Sequence, residues 1–93
     1  MNRYRQGYLA ELALVKMLKA SQEYHTVLRS AGSRSSFDVV AIGEASILLC
    51  QVKATSGSIR AEVGKLKLLK TPPCATKQLW IYRNRSWLII TVE

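Results

Sequence analysis

A chain of 93 residues, 48% of them hydrophobic, can fill one modest core, so we expect residues 1–93 to form a single domain without a large cofactor cleft. Fourteen Lys and Arg against six Asp and Glu give a net charge of +8, spread along the chain. This charge favours nucleic acid over a membrane surface as partner, although a basic solvated surface would give the same count. The two cysteines are too few for a disulfide framework. Charges throughout the N-terminal region argue against a signal peptide, and the short apolar runs argue against a membrane span. We therefore expect an intracellular protein, cytoplasmic, or in the host cytoplasm if viral.

The predicted elements begin with a helix whose stripe recurs every three to four residues, at Tyr4, Tyr8, Leu12, Val15 and Leu18 or Lys19, while Lys16 and Lys19 can face water. Three strand-like runs follow, then a basic helix stopped by a Pro-Pro pair, then two strands around a turn at Asn84. The predicted ranges are a helix at 2–22, strands at 25–30, 37–42 and 46–55, a helix at 59–70, and strands at 77–83 and 86–92. This α-β-β-β-α-β-β order predicts an α/β domain with a mixed central β-sheet flanked by helices.

The one aspartate of the chain, Asp38, lies near the start of the apolar run FDVVAI. A carboxylate in an apolar strand is costly to bury unless a cation or hydrogen-bond donors balance it. Two interpretations stay open: a functional carboxylate, or an exposed edge position or ion pair with Arg29 or Lys53.

Gln51 and Lys53 project together from the next strand, because alternate residues of a strand share a face. If the two strands form a hairpin through residues 43–45, Asp38 comes roughly opposite Gln51. A carboxylate, an amide oxygen and an ammonium group would then converge, which suits a hard cation beside a scissile phosphate. The alternative is a polar strand end that faces solvent.

Three further groups of residues have two interpretations each. Glu11 lies next to the apolar face of the first helix, and is either a fourth group of the site or a surface glutamate. The basic residues of the second helix either follow DNA or form a solvated face: Arg60, Lys65, Lys67 and Lys70. The aromatic residues of the last two strands favour the core or a dimer interface over a base-stacking platform: Trp80, Tyr82 and Trp87.

Four short segments carry a family resemblance: RQGxxxE at 5–11, RSAGS at 29–33, FDVVA at 37–41 and LCQVK at 49–53. Together they resemble the archaeal-type Holliday-junction resolvases, which belong to the PD-(D/E)xK nuclease superfamily. The similarity is closest over residues 5–55, and residues 87–92 resemble the last core strand of the family. The resemblance implies a restriction-endonuclease-like core and metal-dependent cleavage of branched DNA.

The resemblance also implies a metal site. Asp38 would be the central ligand of Mg²⁺, with Mn²⁺ as an alternative, and the backbone carbonyl of Val52 would complete the inner sphere. Gln51 stands where the family usually has a glutamate, and Glu11 would support the metal or its waters. Because the amide of Gln51 is neutral, we expect weaker metal affinity rather than inactivity.

Lys53 and Ser33 would complete the catalytic set by the same resemblance. Lys53 would orient the attacking water or stabilise the pentacovalent phosphate, and Ser33 would lie against the scissile strand. The basic residues that we expect to contact DNA are Arg5, Arg29, Arg34, Arg60 and Lys65.

The leading hypothesis is therefore a homodimeric, Mg²⁺-dependent, structure-selective endonuclease that makes paired nicks in four-way DNA junctions. Two active sites on one symmetric dimer suit a nearly symmetric substrate. One alternative is a nuclease with the same core that acts on flaps or ordinary duplex. The other is a non-catalytic DNA-binding module in which Gln51 has removed the chemistry.

Overall fold

The computed structural model describes residues 3–30, 36–54 and 58–93. Within these ranges two helices and five strands follow the order α-β-β-β-α-β-β. They are α1 (Arg3–Ser21), β1 (Thr26–Arg29), β2 (Val39–Ile42), β3 (Ile47–Lys53), α2 (Arg60–Leu68), β4 (Ala75–Arg83) and β5 (Ser86–Val92). The predicted α/β arrangement, a mixed sheet flanked by helices, is confirmed.

The five strands form one sheet in the order β1-β2-β3-β4-β5. Neighbouring strands run antiparallel except β3 and β4, which are parallel and are joined by the crossover through α2. Asn84 and Arg85 form the turn between β4 and β5, and both have positive φ, 51° and 61°. Two such residues give the hairpin turn whose twist matches that of the flanking strands. The predicted turn at Asn84 therefore includes Arg85 as well.

Helix α1 packs on one face of the sheet, over β1, β2 and β3. Its buried stripe consists of Ala10, Leu14 and Leu18, four residues apart. Of the predicted stripe, Leu18 is buried and Val15 packs against the core, but the position given to Tyr8 was wrong, since Tyr8 is 47% exposed. Apolar residues occur on all sides of α1, so periodicity alone could not select the face that meets the sheet. No helix within the described ranges is both long and apolar enough to cross a membrane.

Each face of the sheet carries its own hydrophobic cluster. The cluster under α1 takes its strand residues mainly from β2 and β3, and Trp80 joins it from β4: Val39, Ala41, Leu48, Cys50, Val52 and Trp80. The cluster under α2 consists of Leu66, Leu79, Ile81 and Val92, with Phe37 and Ile90 packed against it. Strand β4 thus contributes buried residues to both clusters, and the adjacent end of β3 positions the polar residues described below.

The starts of β2 and β4 each differ from the prediction by two residues. Strand β2 begins at Val39, although the prediction began at 37, because the backbone at Asp38 leaves the regular ladder. Strand β4 begins at Ala75, two residues before the predicted start, because its parallel ladder with β3 already pairs Ile47 with Ala75. The first shift concerns the candidate site directly.

Candidate functional site

Asp38 lies immediately before β2, and its backbone forms hydrogen bonds with Ser30, which follows β1, and with Cys50 of β3. Its N–H donates to the carbonyl of Cys50 at 2.8 Å, and its carbonyl accepts the N–H of Ser30 at 2.8 Å. Its side-chain Oδ2 accepts the N–H of Val52, also at 2.8 Å. The bonds to Cys50 and Val52 bracket Gln51, so Asp38 and Gln51 lie at the same level of the paired strands, as the hairpin hypothesis predicted.

Val52 lies beyond the ladder that pairs Val39 with Cys50, where β2 has not yet begun. The Asp38 carboxylate therefore accepts the Val52 N–H in place of a backbone carbonyl. The side chain is half-buried. Burial raises the pKa of Asp38, while the Val52 N–H and the charge of Lys53 act in the opposite direction. The alternative that Asp38 pairs with Arg29 was wrong, since Arg29 contacts a different carboxylate.

Gln51 lies in the middle of β3 and pairs with Leu79 of β4, whose side chain belongs to the α2 cluster. Its Oε1 is buried and has no hydrogen-bond partner among the described residues. A buried acceptor without a partner costs about 1–3 kcal/mol, so such atoms are rare unless a water, ion or ligand completes them.

Lys53 and Val52 complete the strand end. Lys53 is the last residue of β3, is half-buried, and is close enough to Asp38 for its charge to lower the pKa of that carboxylate. The N–H and C=O of one strand residue point to the same side. Since the Val52 N–H donates to Asp38, the Val52 carbonyl is directed toward the same side, beyond the start of β2.

Glu11 reaches toward this strand end from α1 but is engaged in an ion pair. Arg29 Nη1 lies 3.2 Å from Glu11 Oε1, and the two side chains are 26% and 18% exposed. The Arg29 guanidinium also lies over the ring of Tyr8, 4.8 Å from its centroid. Burial raises the pKa of Glu11, Arg29 lowers it, and the charge of Asp38 raises it further. Glu11 is therefore electrostatically coupled to Asp38 while its charge is balanced by Arg29.

The donor set at this end of the sheet consists of hard oxygen atoms. Among the described residues, no group of three or more His, Cys, Asp and Glu side chains could hold a metal ion. A metal at Asp38 would therefore need the Gln51 amide oxygen and the Val52 carbonyl. Carboxylate, amide and carbonyl oxygens are the donors that Mg²⁺ accepts. The orphaned Gln51 Oε1 fits such an ion, so the residues present are compatible with the group that the resemblance implies.

The remaining predicted residues are dispersed or lie outside the description. Arg60 and Lys65 are exposed on α2, on the far side of the sheet from Glu11. Ser33, Arg34 and the side chain of Arg5 lie outside the described part of the chain. The structure thus brings together Asp38, Gln51, Val52 and Lys53, with Glu11 within electrostatic range.

A basic groove lies between α2 and the β4–β5 hairpin, on the α2 face of the sheet. It has a volume of about 580 Å³, and its charged lining residues are Arg60, Lys67 and Arg83. Arg83 follows two residues after Ile81, which pairs with Lys53 across β3 and β4. The sequence interpretation named Lys67 among the helix residues that either follow DNA or face solvent, but it did not assign Arg83 to a DNA surface. The strand alternation of Arg83 with Ile81 was the available signal, but it required the β3–β4 register.

Comparisons with known proteins leave the family undecided. No protein-family model matches the chain, and no curated protein or solved structure matches it either.

Proposed function

We propose that this protein is a Mg²⁺-dependent, structure-selective endonuclease that cleaves four-way DNA junctions by paired nicks, acting as a homodimer with a restriction-endonuclease-like core. The observation that carries the proposal is the Oε1 of Gln51, buried at the level of Asp38 and without a hydrogen-bond partner in the described ranges, with Lys53 two residues further along β3. The net charge of +8 supports a polyanionic substrate. We place this activity inside the cell, in the host cytoplasm if the protein is viral.

The residues have separate roles in this proposal. Asp38, Gln51 and the Val52 carbonyl would hold Mg²⁺, with Mn²⁺ as a substitute; the bound ion would neutralise the scissile phosphate and make water a better nucleophile. The bond from the Val52 N–H holds the Asp38 carboxylate at the strand end before any ligand arrives. Lys53 would place its ammonium beside the phosphate and stabilise the negative charge that develops during attack. Glu11 would orient Arg29 or bound water from the α1 side.

The DNA contacts would be made to phosphates rather than to bases. Arg60, Lys67 and Arg83 line one groove between α2 and the β4–β5 hairpin, and Lys65 adds exposed charge on α2. We also retain Ser33, Arg34 and Arg5 as proposed contacts to the DNA strand. Phosphate contacts make binding largely blind to sequence, so the branch point itself would supply selectivity.

A second candidate, a non-catalytic DNA-binding module with this fold, is supported by two specific observations. Gln51 contributes no charge, and Glu11 is already paired with Arg29. The ion would then have Asp38 as its one unpaired carboxylate among the described residues of the site. A nuclease that acts on flaps or linear duplex is the third possibility, and it shares every catalytic role given above.

One experiment separates the three candidates. The protein is incubated with labelled four-way junction, flap or linear duplex of the same sequence, each with Mg²⁺ or with a chelator. Paired nicks in the junction alone, dependent on Mg²⁺, would support the proposal. Cleavage of all three DNAs would indicate a general nuclease, and binding without cleavage in Mg²⁺ or Mn²⁺ would indicate the binding module.

Lys53→Ala tests the proposed role of the ammonium group, with Lys16→Ala as the matched control on the exposed side of α1. Cleavage should be lost in Lys53→Ala, while junction binding survives, because the charge acts mainly in the transition state. Equal activity of the two variants would remove Lys53 from the mechanism.

Salt dependence tests the mode of DNA binding. If a dimer contacts about six to ten phosphates, the affinity should fall by about 10³ to 10⁵ between about 50 and 200 mM salt. Arg60→Ala should weaken binding to every junction sequence alike and reduce the salt slope by about one. An effect of Arg60→Ala confined to one junction sequence would argue against phosphate contact.

A further inference from the structure

Strand β5 is an edge strand of unusual composition. It forms one end of the sheet, and its seven residues, SWLIITV, include no charged residue, proline or glycine. The other edge, β1, has four residues and ends in Arg29. Leu88 and Ile89, on opposite faces of β5, are 45% and 46% exposed. Long, uncharged, apolar edge strands pair with other strands unless the fold protects them.

The hairpin turn determines which backbone groups of β5 face the open edge. Asn84 and Arg85 form a two-residue turn, so the pair that closes it, Arg83 with Ser86, is a hydrogen-bonded pair of the ladder. Hydrogen-bonded and non-hydrogen-bonded pairs alternate along an antiparallel ladder. The N–H and C=O groups of β5 that face away from β4 therefore belong to Trp87, Ile89 and Thr91.

We propose that β5 pairs antiparallel with β5 of a second copy of this chain, across a two-fold axis that passes through Ile89. Two seven-residue strands then overlap over their whole length, with Trp87 opposite Thr91 of the second copy. The outward-facing groups of one strand meet those of the other and can form about six backbone hydrogen bonds. The interface is self-complementary, as a two-fold dimer requires, and both sheets join into one.

Charge selects this register. Full overlap places Arg85, which precedes β5, beside Glu93 of the second copy, which follows β5, and the two-fold axis repeats the pair at the other end. A two-fold dimer keeps each face of the sheet continuous, so other registers differ by steps of two residues and separate these charges. The pairing also covers part of Leu88 and Ile89, which a monomer exposes to water.

The inference rests on the sheet and its edge, and not on the proposed cleavage. It specifies the two-fold partner that paired nicking needs, but its test measures association without DNA or metal. A monomer that cleaves DNA would overturn the proposed interface but not the proposed nuclease activity. A dimer that does not cleave DNA would overturn the nuclease activity but not the interface.

The test is sedimentation of the whole chain at micromolar concentration and physiological ionic strength, where the repulsion between two chains of +8 is screened. The wild type should be a dimer. Ile89→Lys places two ammonium groups opposite one another on the axis and should raise the dissociation constant by about a hundredfold. Leu28→Lys, the same change at an exposed apolar residue of the opposite edge strand, should leave the dimer intact. A monomeric wild type, or a dimer that tolerates Ile89→Lys and not Leu28→Lys, would overturn the proposal.

Charge reversal gives a second test at exposed positions that do not contribute to the core. Arg85→Glu or Glu93→Arg alone should raise the dissociation constant by about tenfold, because each places like charges side by side at both ends of the interface. The two changes together should restore wild-type association. Failure of the double variant to recover would exclude this register, and unchanged unfolding curves for all three variants would show that the fold is intact.

Discussion

Gln51 and Lys77 lie on the same face of the sheet, on the adjacent strands β3 and β4, and both carry a buried polar atom. Lys77 is 8% exposed, and its Nζ donates to the carbonyls of Leu66 at 2.6 Å and Leu69 at 2.8 Å. Gln51 Oε1 has no partner among the described residues. Within the described residues, the buried group of Lys77 is thus satisfied and that of Gln51 is not.

The difference separates a structural role from a candidate functional one. The last carbonyls of a helix lack partners within the helix, and a cation there is favoured by the helix dipole. Lys77 therefore fastens the end of α2 to β4, and its burial is explained by the fold alone. The fold offers no comparable reason for the buried oxygen of Gln51. A group that folding leaves unsatisfied is where a ligand has the most to contribute.

The largest expected effect is on cleavage, in Asp38→Asn. The amide oxygen can still accept the Val52 N–H, but the charge that would hold Mg²⁺ is lost. Single-turnover cleavage of a labelled junction should fall by about a thousandfold, with junction binding nearly unchanged. Glu44→Gln, the same chemical change at an exposed residue between β2 and β3, should have the wild-type rate. A wild-type rate in Asp38→Asn would show that the site lies elsewhere.

The comparison between Gln51 and Lys77 is tested by replacing each residue with Met, an unbranched apolar side chain. Lys77→Met removes the donor to the Leu69 carbonyl and leaves the Leu66 carbonyl with only the N–H of Leu69, and should lower the free energy of unfolding by about 2–3 kcal/mol. Gln51→Met removes an unsatisfied acceptor and should change stability by less than about 1 kcal/mol, or raise it. Urea unfolding measures both variants. Equal losses would mean that Gln51 is as structural as Lys77.

Restoring a charged ligand should strengthen metal binding. In Gln51→Glu, the Mg²⁺ concentration for half-maximal cleavage should fall by about tenfold, because a second carboxylate joins Asp38 in holding the ion. Gln6→Glu adds the same charge at an exposed position on α1 and should leave the titration unchanged. A raised or unaltered Mg²⁺ requirement in Gln51→Glu would indicate that this side chain does not contact the metal.

The smallest expected effect is a pH dependence of stability. Burial raises the pKa of Asp38 above its ordinary value of 3.8, so the folded protein binds this proton more tightly than the unfolded chain. The resulting stabilisation is complete below pH 3.8 and is lost as the pH rises through the raised pKa. The stability of the wild type relative to Asp38→Asn should therefore decline across that interval in metal-free buffer. A relative stability that increases with pH would mean that the Val52 N–H and Lys53 outweigh burial.

The element order followed from sequence because each signal was local. Alternation and β-branched residues marked the strands, and the Pro-Pro pair marked the end of the second helix. The approximate alignment of Asp38 with Gln51 was also accessible, because a short turn constrains the register of a hairpin. The face of α1 that packs on the sheet was not accessible from sequence, since apolar residues occur around the whole helix. Tyr8, Leu12 and Val15 fit a helical stripe as well as Ala10 and Leu14 do.

What the sequence determined by itself was therefore the α/β order, the basic charge and the polar inventory of Asp38, Gln51 and Lys53. Tertiary structure alone decided which polar groups contact one another. Arg29 binds Glu11 rather than Asp38, and Lys77 is buried against the end of α2. These contacts join residues 18 and 11 positions apart, and they depend on how each helix packs on the sheet. Hydrogen-bond satisfaction is a property of the packed chain, so only the structure could show that Gln51 Oε1 is buried without a partner in the part of the chain that is described.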